Sequence, residues 1–349
     1  MNYIYKMPIS YEIKKSPCGK YYVCVGGSIN VFDQKTGIKL ISFKELKHPD
    51  VISFSKKGDL LGVKNTSGKI AIYNLNDMSC LNIIFPTKKE GANLLFTHDD
   101  KNIVSADWAG NIYTIDIKEN TSEIIKHEQA RFTAIEYIEE KDEYIFQSEL
   151  YCISWKYPFS NNKPKILENN VKNENKDRNS EIFYKKKFCK ANGYNLVCYR
   201  YENYIDVYDE RDSLIKRIYT NDVIDKISFD WSVDGKYIGI ISGNTSESMA
   251  VRIVRFTDEK VIKDYKFEFP CYVEFTQDGK ELLIGTWKNG YVIDINDLEE
   301  ESDKHPIVQN TKPDQSLVNR KIDAEAELKK ALESLENHVV NMTKKLIDK

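Results

Sequence analysis

Ser232-Val233-Asp234-Gly235-Lys236, followed by Tyr237-Ile238-Gly239-Ile240-Ile241-Ser242, decides how this chain folds. A five-residue polar turn delivers the backbone into an apolar run of strand length, and the same arrangement returns along most of the chain. The other copies of the turn are Ser16-Pro17-Cys18-Gly19-Lys20, Ser55-Lys56-Lys57-Gly58-Asp59, Thr97-His98-Asp99-Asp100-Lys101, Glu139-Glu140-Lys141-Asp142-Glu143, Lys190-Ala191-Asn192-Gly193-Tyr194 and Thr276-Gln277-Asp278-Gly279-Lys280. They follow one another at roughly 40-residue intervals, and such a period with several strands per repeat marks a propeller.

A second series runs in phase with the first. Gly27-Ser28-Ile29-Asn30-Val31-Phe32-Asp33 returns as Gly68–Asn74, Gly110–Asp116, Asn203–Asp209 and Gly290–Asn296, with blurred copies at Cys152–Trp155 and Ile253–Phe256. Its leading Gly or Asn suits the left-handed backbone of a tight hairpin, and the Ile, Val, Tyr and Phe that follow suit a half-buried strand. Apolar runs lie before the first series (Val51–Phe54, Tyr272–Phe275), between the two (Tyr21–Val25, Leu282–Gly285) and after the second (Lys39–Phe43, Leu214–Tyr219). Four antiparallel strands in each of seven repeats predict an all-β, seven-bladed β-propeller over residues 1–300.

At these residues the chain resembles the WD40-repeat family. The turns are similar to that family's corner between first and second strands, and the second series to its third-strand segment, over about residues 10–300. The resemblance rests on sevenfold recurrence. The Gly-His pair before the first strand and the closing Trp-Asp are both missing, with Phe32-Asp33, Tyr73-Asn74, Ile115-Asp116 and Tyr208-Asp209 in place of the latter. Burial, rather than the family's side-chain hydrogen-bond relay, is therefore expected to hold each blade. The resemblance also implies which face of the ring grips partners.

A ring needs a clasp between its first and last blades, or two sheet edges stay unpaired. Tyr3-Ile4-Tyr5-Lys6-Met7 has strand character and is expected to form the outer strand of blade seven; His305–Gln309 competes for that place.

The 349 residues carry a net charge of −3, which argues against nucleic acid as the main ligand. Seven scattered cysteines without a CxxC pair suit reduced thiols in a cytoplasmic protein. No apolar stretch has the length of a signal peptide or a membrane span, so no membrane partner is expected. Lys185-Lys186-Lys187 reads as a solvated basic face, and residues 161–181, polar and aperiodic, as a mobile loop between blades four and five.

After an acidic linker at 301–315 the periodicity becomes helical. Over 316–349, Leu328, Leu332, Leu335, Val339, Met342 and Leu346 alternate threes and fours, as one face of a coiled coil does. That stripe fits self-association, docking on the propeller's own rim, or pairing with another protein's helix.

Catalytic signatures are missing: the sequence contains no nucleophile elbow, phosphate-cradling loop, dinucleotide fingerprint or paired metal-ligand histidines. No cofactor and no metal are expected. Trp108 and Trp287 occupy equivalent places before a hairpin glycine in blades three and seven, where a side chain is exposed and a Trp is a frequent interface anchor. His48 and His127 each precede an inner strand. These four are the expected partner-binding residues of a non-enzymatic scaffold that recognises a protein or peptide. The competing expectation is a lactonase- or hydrolase-like enzyme with its site in the central channel. Trp155 and Trp231 fall inside strands and are expected in the core.

Overall fold

The corners explain why the chain repeats. In five of them the hydroxyl of the first residue accepts the backbone N–H five positions on: Ser16 from Tyr21, Ser55 from Leu60, Thr97 from Asn102, Ser232 from Tyr237 and Thr276 from Glu281, all at 2.8–3.0 Å. The fourth residue always takes a left-handed backbone, with φ between 51° and 74° at Gly19, Gly58, Asp100, Asp142, Gly193, Gly235 and Gly279. Glycine and aspartate are among the residues that tolerate this conformation best, which accounts for their recurrence.

A computed structural model describes residues 3–298 except 88, 92, 149–150, 169–183, 200–201, 212, 221, 225–227, 244 and 246–247. The chain divides into two compact units, Met1–Ser302 and Asp303–Lys349. The linker at 301–315, the strand candidate His305–Gln309 and the helix at 316–349 with its Leu328–Leu346 stripe lie outside the described residues. Among the described residues, no helix is long and apolar enough to cross a membrane.

The first unit is an all-β propeller of seven four-stranded antiparallel sheets. Their inner strands are Glu12–Lys15, Pro49–Phe54, Leu95–Phe96, Phe132–Ile138, Tyr184–Phe188, Phe229–Trp231 and Pro270–Phe275. Their outer strands are Lys39–Phe43, Ser79–Ile84, Thr121–His127, Lys165–Glu168, Leu214–Tyr219, Val261–Lys266 and, for blade seven, Tyr5–Met7. The N-terminal segment thus closes the ring: Tyr5, Lys6 and Met7 pair with Val292, Tyr291 and Gly290. The inner strand of blade seven lies against that of blade one.

Side chains reinforce the closure. Lys15 of blade one reaches Asp278 and Glu281 of blade seven at 2.8 and 3.0 Å, and the Tyr22 hydroxyl donates to Glu281 at 2.7 Å. The Tyr5 ring lies where any side chain at Gly37 would stand, so only glycine admits it. Elsewhere apolar side chains fill the space between adjacent blades, as Val63 and Leu61 do with Val23 and Val31. Trp155 and Trp231 are both buried.

Three expectations need correction. Residues 161–181 are not all loop, because Lys165–Glu168 is the outer strand of blade four and pairs with Tyr151–Ser154; the lack of a charge-free apolar run hid it. Lys187 is not on an outer face: it lies part-exposed on an inner strand and pairs with Asp230 of the next blade. Of the hairpin-leading residues, Gly68 and Gly110 are left-handed, whereas Gly27 and Gly290 are not; Gly290 is needed because Ser10 lies against it. The corner residue His98 also links blades: its ring stacks on Tyr137 and its backbone N–H donates to the Tyr144 hydroxyl, which ties blade three to blade four.

Candidate functional site: an aromatic cluster at the closure

In a four-stranded antiparallel blade, the turns joining strands one to two and three to four lie at one end. The hairpins joining strands two to three, and the connections to the next blade, lie at the other. Trp108 and Trp287 both sit in hairpins of this second end, 43% and 55% exposed. Their surroundings differ.

Trp287 belongs to a cluster. Its ring meets Phe269 at 5.8 Å and Tyr11 edge-on at 6.2 Å. Phe269 comes from the connection into the inner strand of blade seven, and Tyr11 from the connection into blade one. The three rings therefore gather the first and last blades on one spot, with Ile9 exposed nearby in sequence. Each is held from below. The Trp287 N–H donates to the Phe269 carbonyl, and Thr286 Oγ1 accepts from the N–H groups of Lys288 and Asn289. Lys288 also forms an ion pair with Glu268, bracing the hairpin against the same connection. Phe269 has a φ of 53°, an uncommon conformation for a bulky residue. Such strain persists where the surroundings over-determine it, and it clusters at functional sites.

Trp108 has a different setting. Its hairpin is locked by buried Asp107, whose carboxylate accepts from the N–H groups of Ala109 and Asn111, from the Asn111 side chain and from Thr87 Oγ1. No aromatic ring among the described residues stacks on it. His127 lies in the same blade, its Nδ1 2.9 Å from Asn111 Oδ1. His48 is exposed in the connection entering blade two, with φ 53°, and its carbonyl accepts from Thr66 N–H. The four expected residues therefore share a face without forming one patch: Trp108 and His127 stand on blade three, His48 on blade two and Trp287 at the closure. Tyr11 and Phe269 escaped the sequence reading. Each sits immediately before an inner strand, and no repeat signature marks those connections.

The channel holds a second constellation that sequence reading missed. Glu12, Lys14, Glu136, Lys187, Asp230, Tyr272 and Glu274 come from inner strands. Glu12 pairs with Lys14 at 2.9 Å, Lys187 with Asp230 at 3.2 Å, and Tyr272 donates to Glu274. Two of the carboxylates also cap the next blade: Glu12 accepts the Ile52 N–H at 3.1 Å and Asp230 the Phe275 N–H at 2.8 Å. Ser53 and Ser228 do the same for Phe96 and Val273. Buried N–H groups of an inner strand need such acceptors, because an unmade hydrogen bond there costs about 1–3 kcal/mol. The Asp230 carboxylate, with Glu136 and Glu274 beyond it, holds the Lys187 ammonium well above its ordinary range. Burial pushes the Glu12 carboxyl up, against the pull of Lys14. No group of three or more His, Cys, Asp or Glu among the described residues is arranged to hold a metal ion.

No known family profile matches the chain, and no curated protein matches it. Solved structures do. The β-propeller domain of Cps50 (Swd1) from Myceliophteria thermophila aligns at TM-score 0.67 and 12% identity, over 83% of this chain and 98% of that one. The hydrazine synthase of Kuenenia stuttgartiensis aligns at TM-score 0.64 and 13% identity, over 82% and 96%. At such identities the likeness is one of fold, and the chain is similar to both as a propeller.

Proposed function

We propose that this protein is a non-enzymatic scaffold of divergent WD40 type, whose hairpin face binds a protein or peptide through Trp287, Phe269 and Tyr11. The observation that carries this reading is a three-ring cluster, more than a third of each ring's residue exposed, on a strained and doubly braced loop pair. Rigid, partly exposed aromatic side chains lose little conformational freedom on binding and dominate interface energies. The Ser/Thr-first, Gly-fourth corners and the in-phase hairpins support the WD40 kinship. Trp108, His127 and His48 would extend the contact around the same face. The apolar stripe at 328–346 adds self-association or docking to this function, and tethering copies together would raise the effective concentration of weak faces.

The enzyme alternative draws on the carboxylates converging in the channel. Glu12 and Asp230 already cap neighbouring N–H groups and face lysines, so their geometry fits structural work better than acid–base chemistry. The test is affinity capture with the full chain from its native cells, comparing wild type with Trp287→Ala and Trp108→Ala. Proteins retained by wild type should be lost with Trp287→Ala and kept, at reduced yield at most, with Trp108→Ala. An identical retained set with Trp287→Ala would refute the reading.

A further inference from the structure

The outer strand of blade seven differs from the other six in how it is tethered. Each of those follows along the chain from the strand it pairs with, so it stays held at a turn when its hydrogen bonds break. Tyr5–Met7 is instead a chain end, and its neighbour Gly290–Asp294 lies almost the whole sequence away. Releasing it costs only its own contacts, and chain ends are where local opening concentrates.

Those contacts run in one line along the edge of blade seven to the hairpin end. The Ile4 N–H donates to the Val292 carbonyl at 2.8 Å, Tyr5–Met7 pair in register, and the Ser10 N–H donates to the Thr286 carbonyl at 3.2 Å. Met7 and Ser10 are buried, whereas Tyr3, Ile4 and Ile9 are exposed. Glycines bed the segment. A Cβ at Gly26 would stand 2.5 Å from the Ile9 carbonyl oxygen, one at Gly285 2.5 Å from that of Ser10, and one at Gly290 2.5 Å from Ser10 Oγ. The segment thus crosses both legs of the Trp287 hairpin, touching Thr286 before its tip and Gly290 after it.

We propose that residues 3–10 form a strap that opens and closes on the otherwise folded ring, pivoting at Tyr11, and that it braces the Trp287 hairpin only when closed. Tyr11 is the pivot because its N–H donates to the Val25 carbonyl of blade one, and from Glu12 onward the chain belongs to that blade's inner strand. Opening takes Ser10 off Thr286 and Gly290 together. The hairpin then loses both supports, and the aromatic cluster loosens. Control of partner binding by the strap rests on the reading of the cluster proposed above; the opening itself does not.

Native-state hydrogen exchange on the full chain tests the strap without any partner. The amides of Ile4 and Ser10 should exchange together, about 100-fold or more sooner than those of the central strand Ile70–Asn74. Gly290→Val fills the space of Ser10 Oγ, so both amides should then exchange as in unstructured chain, and those of Trp287, Lys288 and Asn289 should speed up. Where that variant fails to fold, Lys6→Cys/Tyr291→Cys decides. Its disulfide should slow Ile4 and Ser10 by about tenfold or more, and reduction should restore the wild-type rates. Wild-type strap amides as slow as Ile70–Asn74, Ile4 and Ser10 opening at unrelated rates, a Trp287 hairpin indifferent to Gly290→Val, or a disulfide without effect would each overturn the proposal.

Discussion

Trp108 and Trp287 occupy the same place in their repeats, yet one stands on a hairpin organised around a single buried carboxylate and the other joins an aromatic cluster. The Trp108 hairpin is organised by Asp107, a residue of its own blade. The Trp287 cluster is assembled from three segments, one of which, around Tyr11, arrives only because the N-terminal strand closes the ring. Equivalent positions in a repeat therefore specify equivalent backbone, while the neighbourhood depends on what the adjoining blade and the closure deliver. A repeat protein can build a singular site in this way without departing from its period.

The sharpest way to break that contrast is to remove the clasp. Deleting residues 1–8 removes the outer strand of blade seven and the buried Met7, whose loss alone should cost about 2–5 kcal/mol. Thermal unfolding should show a lower melting temperature, and Trp287 emission should move toward that of a fully exposed ring. An unchanged melting temperature would mean that another segment closes the ring.

The Trp108 side can be probed through what lies beneath it. Lys64, 1% exposed, donates to Ser105 Oγ and the Ala106 carbonyl at 2.9 Å and forms no carboxylate ion pair at contact distance among the described residues. Burial lowers its ammonium to about 7, despite the pull of Asp107 and Asp50. Because the folded value lies below the unfolded one, stability should rise as pH increases from about 7 toward about 10.4, by on the order of 1 kcal/mol per pH unit, and fall as pH drops through that window. Lys64→Met should flatten this part of the pH–stability curve and raise stability at neutral pH. Denaturant titrations at pH 7 and pH 9 would show parallel curves for both proteins if the lysine were charged throughout.

Smaller effects separate the two hairpins. Asp107→Ala strips four hydrogen-bond donors of their acceptor and should destabilise by about 2 kcal/mol, whereas Thr286→Ala should cost about 1 kcal/mol. Equal costs in urea unfolding would argue that both hairpins are held alike. Smallest of all, Trp287→Ala should change stability by less than about 1 kcal/mol while abolishing partner capture, since its ring is mostly at the surface. A large loss of stability would instead make it a packing residue.

Sequence periodicity sufficed for the blade number and the four-strand pattern because each depends on local signals; the closing strand was open between Tyr3–Met7 and His305–Gln309, and it is Tyr5–Met7 that pairs with blade seven. Ser or Thr at the first corner position supplies an acceptor, Gly or Asp at the fourth tolerates left-handed backbone, and alternation marks each strand. The exposure of Trp108 and Trp287 followed from the same hairpin logic. Tyr11 was illegible because it meets Trp287 only through pairing between the first and last blades, which no periodicity encodes, and Phe269 because no repeat signature marks the connection that carries it. Lys187 misled for the opposite reason: within a run of three lysines, charge suggests solvent, and only the neighbouring blade's Asp230 makes an interior position tolerable. The strand Lys165–Glu168 was hidden because both its ends are charged.

Whether closure by the N-terminal strand builds the aromatic site is tested most directly by a cysteine pair across the clasp. Lys6 pairs with Tyr291. In the Lys6→Cys/Tyr291→Cys protein, peptide mapping under non-reducing conditions should find the two cysteines joined within one molecule. Thiols that stay reduced, or that link only between molecules, would contradict the closed ring and with it the origin of the Trp287 cluster.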